Sequence, residues 1–170
     1  EKLENSFTNQ VLNYKQDSKI NLGYFSSDFY DHATMRLMME VFKYHDNSKF
    51  NIFAFSYGPE INDNCTEELK TYLNNFYYIE NMDLDQIHSL CKKNNIHIAI
   101  DLKGYTQNNQ INMFQKRVAP IQISYLGYPS TTGLNNMDYI VADETIIPKE
   151  NFKFYSEKVL YLPNCYQPNE

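Results

Sequence analysis

Ile96-His97-Ile98-Ala99-Ile100-Asp101-Leu102 is a nearly unbroken apolar run closed by Gly104. It lacks the in-out alternation of a half-exposed strand, so it reads as a strand buried on both faces, as in a parallel sheet. Working back from it, Asp83 with Gln86 three positions on has capping-box spacing. That opens a helix with Leu84, Ile87, Leu90 and Cys91 on one face, ending at Asn94-Asn95. Phe76 to Ile79 reads as a strand, and Asn64 with Glu67 caps a helix running to about Asn74. Asn51 to Tyr57 is another strand, Met35 to Tyr44 an apolar helix, and Ile20 to Phe25 the first strand. Downstream come a short helix at Ile111 to Lys116 and strands at Ile121 to Leu126, Met137 to Val141 and Val159 to Leu162. This order predicts an α/β domain with a mostly parallel sheet, flanking helices and right-handed crossovers. Residues 1–18 read as a polar linker or helix end, and residues 19–170 as the domain.

The chain has 170 residues, 42% of them hydrophobic, which suits one domain with a sizeable core. Its 21 acidic and 15 basic side chains give a net charge of -6, which argues against nucleic acid or an anionic membrane as partner. No run approaches the roughly 20 apolar residues of a membrane span, and Glu1 to Lys15 lacks signal-peptide character. A soluble, cytoplasmic protein is expected. Cys65, Cys91 and Cys165 are odd in number and form no Cys-x-x-Cys, so neither a disulfide framework nor a zinc site is indicated. The histidines lack metal-ligand spacing, and no metal is expected. Only Arg36 and Arg117 offer a guanidinium for bidentate anion binding.

Ligands of open parallel sheets bind beyond the carboxyl ends of the strands. Four loops fall there: residues 26–32, 57–59, 103–106 and 127–133. None carries a Gly-x-Gly-x-x-Gly or a P-loop. The first supplies hydroxyls, Asp28, Asp31 and His32, suited to a hydroxylated ligand or to proton transfer. His32 is a general-base candidate that Asp28 or Asp31 could orient. Alternatively, Asp31 caps the next helix and His32 is exposed in its first turn. Asp85 and His88 share a helix face at i,i+3 spacing, a pair that is either solvated or functional. The loop Gly127-Tyr128-Pro129-Ser130-Thr131-Thr132-Gly133 offers amide and hydroxyl donors for a phosphate or sugar, or serves only as a strand-to-strand turn.

Taken together, Leu22 to Phe29 with Asp31-His32-Ala33, Ile98 to Thr106, Arg117 to Gly133, Met137 to Ile140, Tyr155-Ser156-Glu157-Lys158 and Leu160 to Pro163 resemble, in order, the amino-terminal catalytic lobe of O-linked N-acetylglucosamine transferases, glycosyltransferase family 41. The resemblance implies a Rossmann-like lobe of a GT-B enzyme, with a second lobe holding most of the UDP-binding residues and tetratricopeptide repeats in front. It implies inverting transfer of N-acetylglucosamine from UDP-N-acetylglucosamine to Ser or Thr of an acceptor protein, without a cofactor or catalytic metal. An isolated lobe would be inactive. Relatives that place glucose on Asn or fucose on Ser/Thr define an alternative, and a non-catalytic interaction module defines another.

By that resemblance His32 is a base or substrate-positioning residue, and Asp85 and His88 match a family Asp-x-Ile-His segment. Asp28, Tyr105, Thr106, Tyr128, Pro129, Thr131 and Thr132 lie in loops facing donor and acceptor. The chain departs from the family pattern at Ser130, where Gly is usual, at Val118 in place of Pro, and at Ala33 in place of the Pro of animal members. A side chain at Ser130 is expected to alter a tight turn or a sugar contact.

Overall fold

The structure is a computed structural model and describes residues 19–168. Its order is β1 (Ile20–Ser26), α1 (Ala33–Lys43), β2 (Phe50–Ser56), α2 (Asn64–Tyr72), β3 (Asn75–Tyr78), α3 (Leu84–Lys93), β4 (Ile98–Asp101), β5 (Ile121–Ser124), β6 (Tyr139–Ala142) and β7 (Lys158–Tyr161). Single 3-10 helices, Ile111–Gln115 and Lys149–Phe154, lie between β4 and β5 and between β6 and β7. The strands form one sheet in the order β3-β2-β1-β4-β5-β6-β7. Every pairing is parallel, in line with the mostly parallel sheet expected. The chain reverses its direction of travel across the sheet between β1 and β4. Ligands of doubly wound folds bind at such a reversal.

Burial on both faces follows from the apolar strands. On one face Phe25, Phe55 and Ala99 pack with Ile87 and Cys91 of α3 and with Phe114. On the other, Leu22, Ile52 and Ile100 pack with Met35, Met38 and Phe42 of α1 and Leu69 of α2. Met35, Met38 and Phe42 follow helical spacing and are at most 1% exposed, so each contributes about 2 kcal/mol or more of burial. A smaller cluster, Ile140, Ala142 and Ile147, lies at the β6 side. Gly23 sits where a Cβ would come 2.9 Å from the Phe55 ring, so the strand needs its smallest residue there.

Several boundaries differ from the sequence expectations for local reasons. Asp83 and Gln86 form the anticipated capping box. The cap of α2, however, is Asp63: its carboxylate accepts the Thr66 amide, and the helix stops at Tyr72. Leu84, expected on the apolar face, is the first residue of α3 and 38% exposed, while Ile87 and Cys91 are buried. His97 lies just before β4, where its Nδ1 accepts the Asn21 amide at 2.9 Å. Cys65, Cys91 and Cys165 are free thiols. Among the described residues no helix is long and apolar enough to cross a membrane. The linker assigned to residues 1–18 lies outside the described residues.

Candidate active site

Parallel pairing brings the four loops to one edge. Ser26 is in register with Ser56, Phe25 with Asp101, and Asp101 with Ser124, so β2, β1, β4 and β5 end nearly level. Their loops then close on one another. A Cβ on Gly58 would strike the Ser27 carbonyl oxygen at 2.0 Å, and one on Gly127 would strike that of Leu102 at 2.2 Å. The backbones therefore meet where a larger residue would hold them apart. Gly104 has φ +55, and a Cβ there would lie 2.3 Å from Tyr128 Cβ, so this glycine answers both a left-handed backbone and a close approach.

At the reversal itself, Lys103 Nζ reaches across from the β4 loop to Asp28 Oδ2 at 2.6 Å, with both side chains buried. Asp28 Oδ1 accepts the Ser27 hydroxyl at 2.8 Å, and the Asp28 amide donates to Ser26 Oγ at 3.0 Å. Asp28 is thus a hub with its lone pairs turned inward. Beneath it Asp101, 1% exposed, accepts the amides of Lys103 (3.0 Å) and Gly104 (2.9 Å), which fixes the turn carrying the lysine. Burial pushes the Asp101 carboxyl up to about 6, against the opposing pull of those amides and of Lys103. Burial likewise raises the Tyr57 phenol well above its usual range, aided by the nearby Asp101 and Asp28 carboxylates.

The cap of α1 falls one position later than the expected Asp31. His32 is itself the N-cap: its Nδ1 accepts the Thr34 amide at 3.2 Å. Asp31, which was expected to cap, instead pairs with Arg36 at 3.0 Å while its own amide donates to Asp63. The imidazole lies edge-on to Tyr30, and its side chain is 40% exposed. His32 Nδ1 is also 3.5 Å from Asp28 Oδ2, so the structure brings His32, Asp28 and Lys103 into one constellation.

The loop 127–133 is braced internally. Buried Glu157 accepts the Thr132 amide at 2.7 Å and the Thr131 hydroxyl at 2.8 Å, and also takes the Thr132 hydroxyl. The hydroxyls assigned to a ligand are therefore engaged by a carboxylate of the chain. Tyr105 donates its hydroxyl to the Thr132 carbonyl at 2.7 Å, and its ring meets Tyr128 edge-on at 5.5 Å. Thr106 turns its hydroxyl back to the Lys103 carbonyl. Tyr155 donates to the Pro129 carbonyl. Ser130 is not in the left-handed region; the left-handed residues here are Leu126 and Gly133. Leu126, φ 71, centres a tight turn in which the Gly127 amide donates to the Tyr125 carbonyl.

Asp85 and His88 are not gathered into this cluster by any contact described. Asp85 is exposed and lies 3.5 Å from Lys116. His88 is half-buried, and burial, with help from Lys92 and Lys116, holds its imidazole below the usual range although Asp85 pulls upward. Arg36 is paired with Asp31, and Arg117 grips Asp138 through two nitrogens at 2.5 and 2.6 Å. Three concavities lie elsewhere: by Pro120, Asp138 and Lys158, along α3, and on the sheet face by Tyr24, Ile123 and Tyr166. Among the described residues no group of three acidic, His or Cys side chains could hold a metal. Sequence reading passed over Lys103 and Glu157 as site residues. Both stood inside quoted motifs, and the signal available was an ionisable side chain within or opposite a glycine-bearing loop.

The family model described as glycosyl transferase family 41 matches residues 2–168. The chain is 34% identical over 152 residues to the "Probable UDP-N-acetylglucosamine--peptide N-acetylglucosaminyltransferase SEC" of Arabidopsis thaliana, covering 89% of this chain and 16% of that protein. It is 34% identical over 154 residues to the UDP-N-acetylglucosamine--peptide N-acetylglucosaminyltransferase of Caenorhabditis elegans, covering 87% and 13%. A solved O-GlcNAc transferase mutant of Thermobaculum terrenum superposes with a TM-score of 0.86 at 24% identity, over 91% of this chain and 29% of that one, and shares the fold. The chain thus spans under a fifth of the length of these two curated relatives. Matched across nearly its whole length, with its motif loops gathered at one sheet edge, the chain belongs to glycosyltransferase family 41.

Proposed function

We propose that this chain is the first catalytic lobe of a protein O-glycosyltransferase that moves N-acetylglucosamine from UDP-N-acetylglucosamine to Ser or Thr with inversion. The observation that carries this reading is the closed belt of loops at the carboxyl edge of β2, β1, β4 and β5 in a family 41 chain. In such a transfer the acceptor oxygen bonds to the anomeric carbon as the bond to the UDP oxygen breaks, and the hydroxyl proton leaves to a base or solvent path. Charge grows on the diphosphate and needs cationic or amide donors. Both arginines and Lys103 are already held by carboxylates of this lobe. That supports placing the diphosphate donors on a second lobe, with this one framing the sugar and acceptor.

In this reading the exposed His32 edge, the Tyr105 and Tyr128 rings and Pro129 face the substrates. Asp28, Thr131 and Thr132 hold the loops that present them, and Thr106 shapes the 103–106 turn. Asp85 and His88 enter through family resemblance alone. The test is transfer by the full-length protein offered UDP-N-acetylglucosamine, UDP-glucose and GDP-fucose in competition with a protein acceptor. N-acetylglucosamine on Ser or Thr is expected, with negligible turnover by the 170-residue chain alone. Glucose on Asn, fucose on Ser/Thr, or full activity of the single lobe would each refute the reading as stated.

A further inference from the structure

The three connections after β4 lie on one face of the sheet. Ile111, Met113 and Phe114, between β4 and β5, join the cluster beneath α3, as does Met137 before β6. Ile147, between β6 and β7, packs with Ile140, which is in register with Ser124, Asp101 and Phe25 on that same face. Right-handed crossovers advancing in one direction require this. The opposite face, carrying Ile100, Ile123 and Val141, therefore receives no element from between these strands. Yet a parallel sheet is ordinarily covered on both faces.

Among the described residues, that face is flanked by α1 through Val41 and by residues 162–168. The latter are held by the Tyr125 hydroxyl, which donates to the Tyr166 carbonyl at 2.9 Å, and by the Tyr166 amide, which donates to Asp143 at 2.8 Å. Between the two flanks runs a groove of about 400 Å3 with no charged side chain in its lining. Residues 1–18 lead into β1, whose first residue, Ile20, packs against the apolar cluster of this face. In that segment Leu3, Phe7, Val11 and Tyr14 recur at i, i+4, i+8 and i+11, one stripe of a helix, and only Leu12 falls opposite. Between Leu3 and Tyr14 the only charge is Glu4, which stands off the stripe. The family match begins at residue 2, so the segment lies within the matched region.

We propose that this groove is the docking site of the chain's own amino-terminal segment, seated as an amphipathic helix over residues 3–14 with Leu3, Phe7, Val11 and Tyr14 against Ile100, Ile123 and Val141. Such a helix is about 18 Å long at 1.5 Å per residue, and residues 15–19 remain to turn into β1. The short tether gives the segment a roughly millimolar effective concentration at the groove, which a second copy at micromolar concentration does not match. The inference goes beyond the transferase reading and does not depend on it.

NMR of the 170-residue chain with labelled Ile and Val methyl groups tests this. Nuclear Overhauser contacts are expected from the Phe7 ring to the methyl groups of Ile123 and Val141. Phe7→Asp should abolish them, shift those methyl resonances and lower the urea midpoint, whereas Asn9→Asp, off the stripe, should leave all three unchanged. Ile123 and Val141 methyl groups without contact to residues 3–14, or unmoved by Phe7→Asp, would overturn the proposal. Contacts found only between chains, in a sample mixing labelled and unlabelled protein, would assign the groove to a second copy and overturn it as well. Neither measurement involves sugar transfer, so the transferase reading stands or falls separately.

Discussion

Lys103 Nζ lies 2.6 Å from Asp28 Oδ2 with side-chain exposures of 8% and 4%, joining the ends of β1 and β4 where the chain reverses across the sheet. Two buried opposite charges cost much of their attraction in lost hydration, so the pair's value lies in fixing the loops together. Removing one partner leaves the other stranded. Asp28→Asn or Lys103→Met should each destabilise by about 3 to 5 kcal/mol, and the double variant by clearly less than the sum. Urea unfolding of the four proteins measures this, and additive losses would show that the charges do not depend on each other.

Glu157 should act as the latch of the 127–133 loop. Glu157→Ala strands the Thr132 amide and two hydroxyls, for which a loss of about 1 to 3 kcal/mol is expected. Hydrogen exchange at Thr132 should accelerate far more than exchange in β1. Unchanged protection at Thr132 would mean that the remaining braces, Tyr105 and Tyr155, hold the loop without Glu157.

Glycine substitutions separate backbone strain from collision. Gly104→Ala meets both, since φ is +55 and the new methyl would lie 2.3 Å from Tyr128 Cβ. Gly133→Ala has φ +66 but nothing within 4 Å, so it should cost only the left-handed penalty of about 1 kcal/mol. Thermal unfolding should rank the native protein above Gly133→Ala and that variant above Gly104→Ala.

Asp101 predicts a pH signature with a definite sign. Its folded carboxyl titrates near 6 and an ordinary Asp near 3.8, so between these values the folded state holds more proton than the unfolded state. Stability from this group is therefore greatest below about 4 and falls as pH rises through 6. The stability difference between native protein and Asp101→Asn should shrink over that interval and flatten above it, as read from urea midpoints. A difference that grew from pH 4 to 6 would contradict the raised carboxyl.

The apolar run at 96–102 carried the parallel sheet, because a strand buried on both faces has no polar alternation to keep, and Ala99 and Ile100 pack into opposite clusters. Asp83 and Gln86 were legible as a cap because both hydrogen bonds span three residues. The cap of α1 was less legible: Asp is the commoner cap, yet His32 and not Asp31 takes the position, because the backbone places the Thr34 amide against the imidazole. The loops containing Asp28, His32, Tyr105 and Tyr128 were marked from the sequence by their place after strands. Their closure was not, because Asp28 meets Lys103 across 75 residues, and Thr132 meets Glu157 across 25. Local pattern thus determined the strands, helices, motif loops and family resemblance, since spacing along the chain encodes which face of an element is apolar. Which hydroxyls are engaged and which cations are neutralised were decided by the tertiary structure, since hydrogen-bond partners are set by proximity in space.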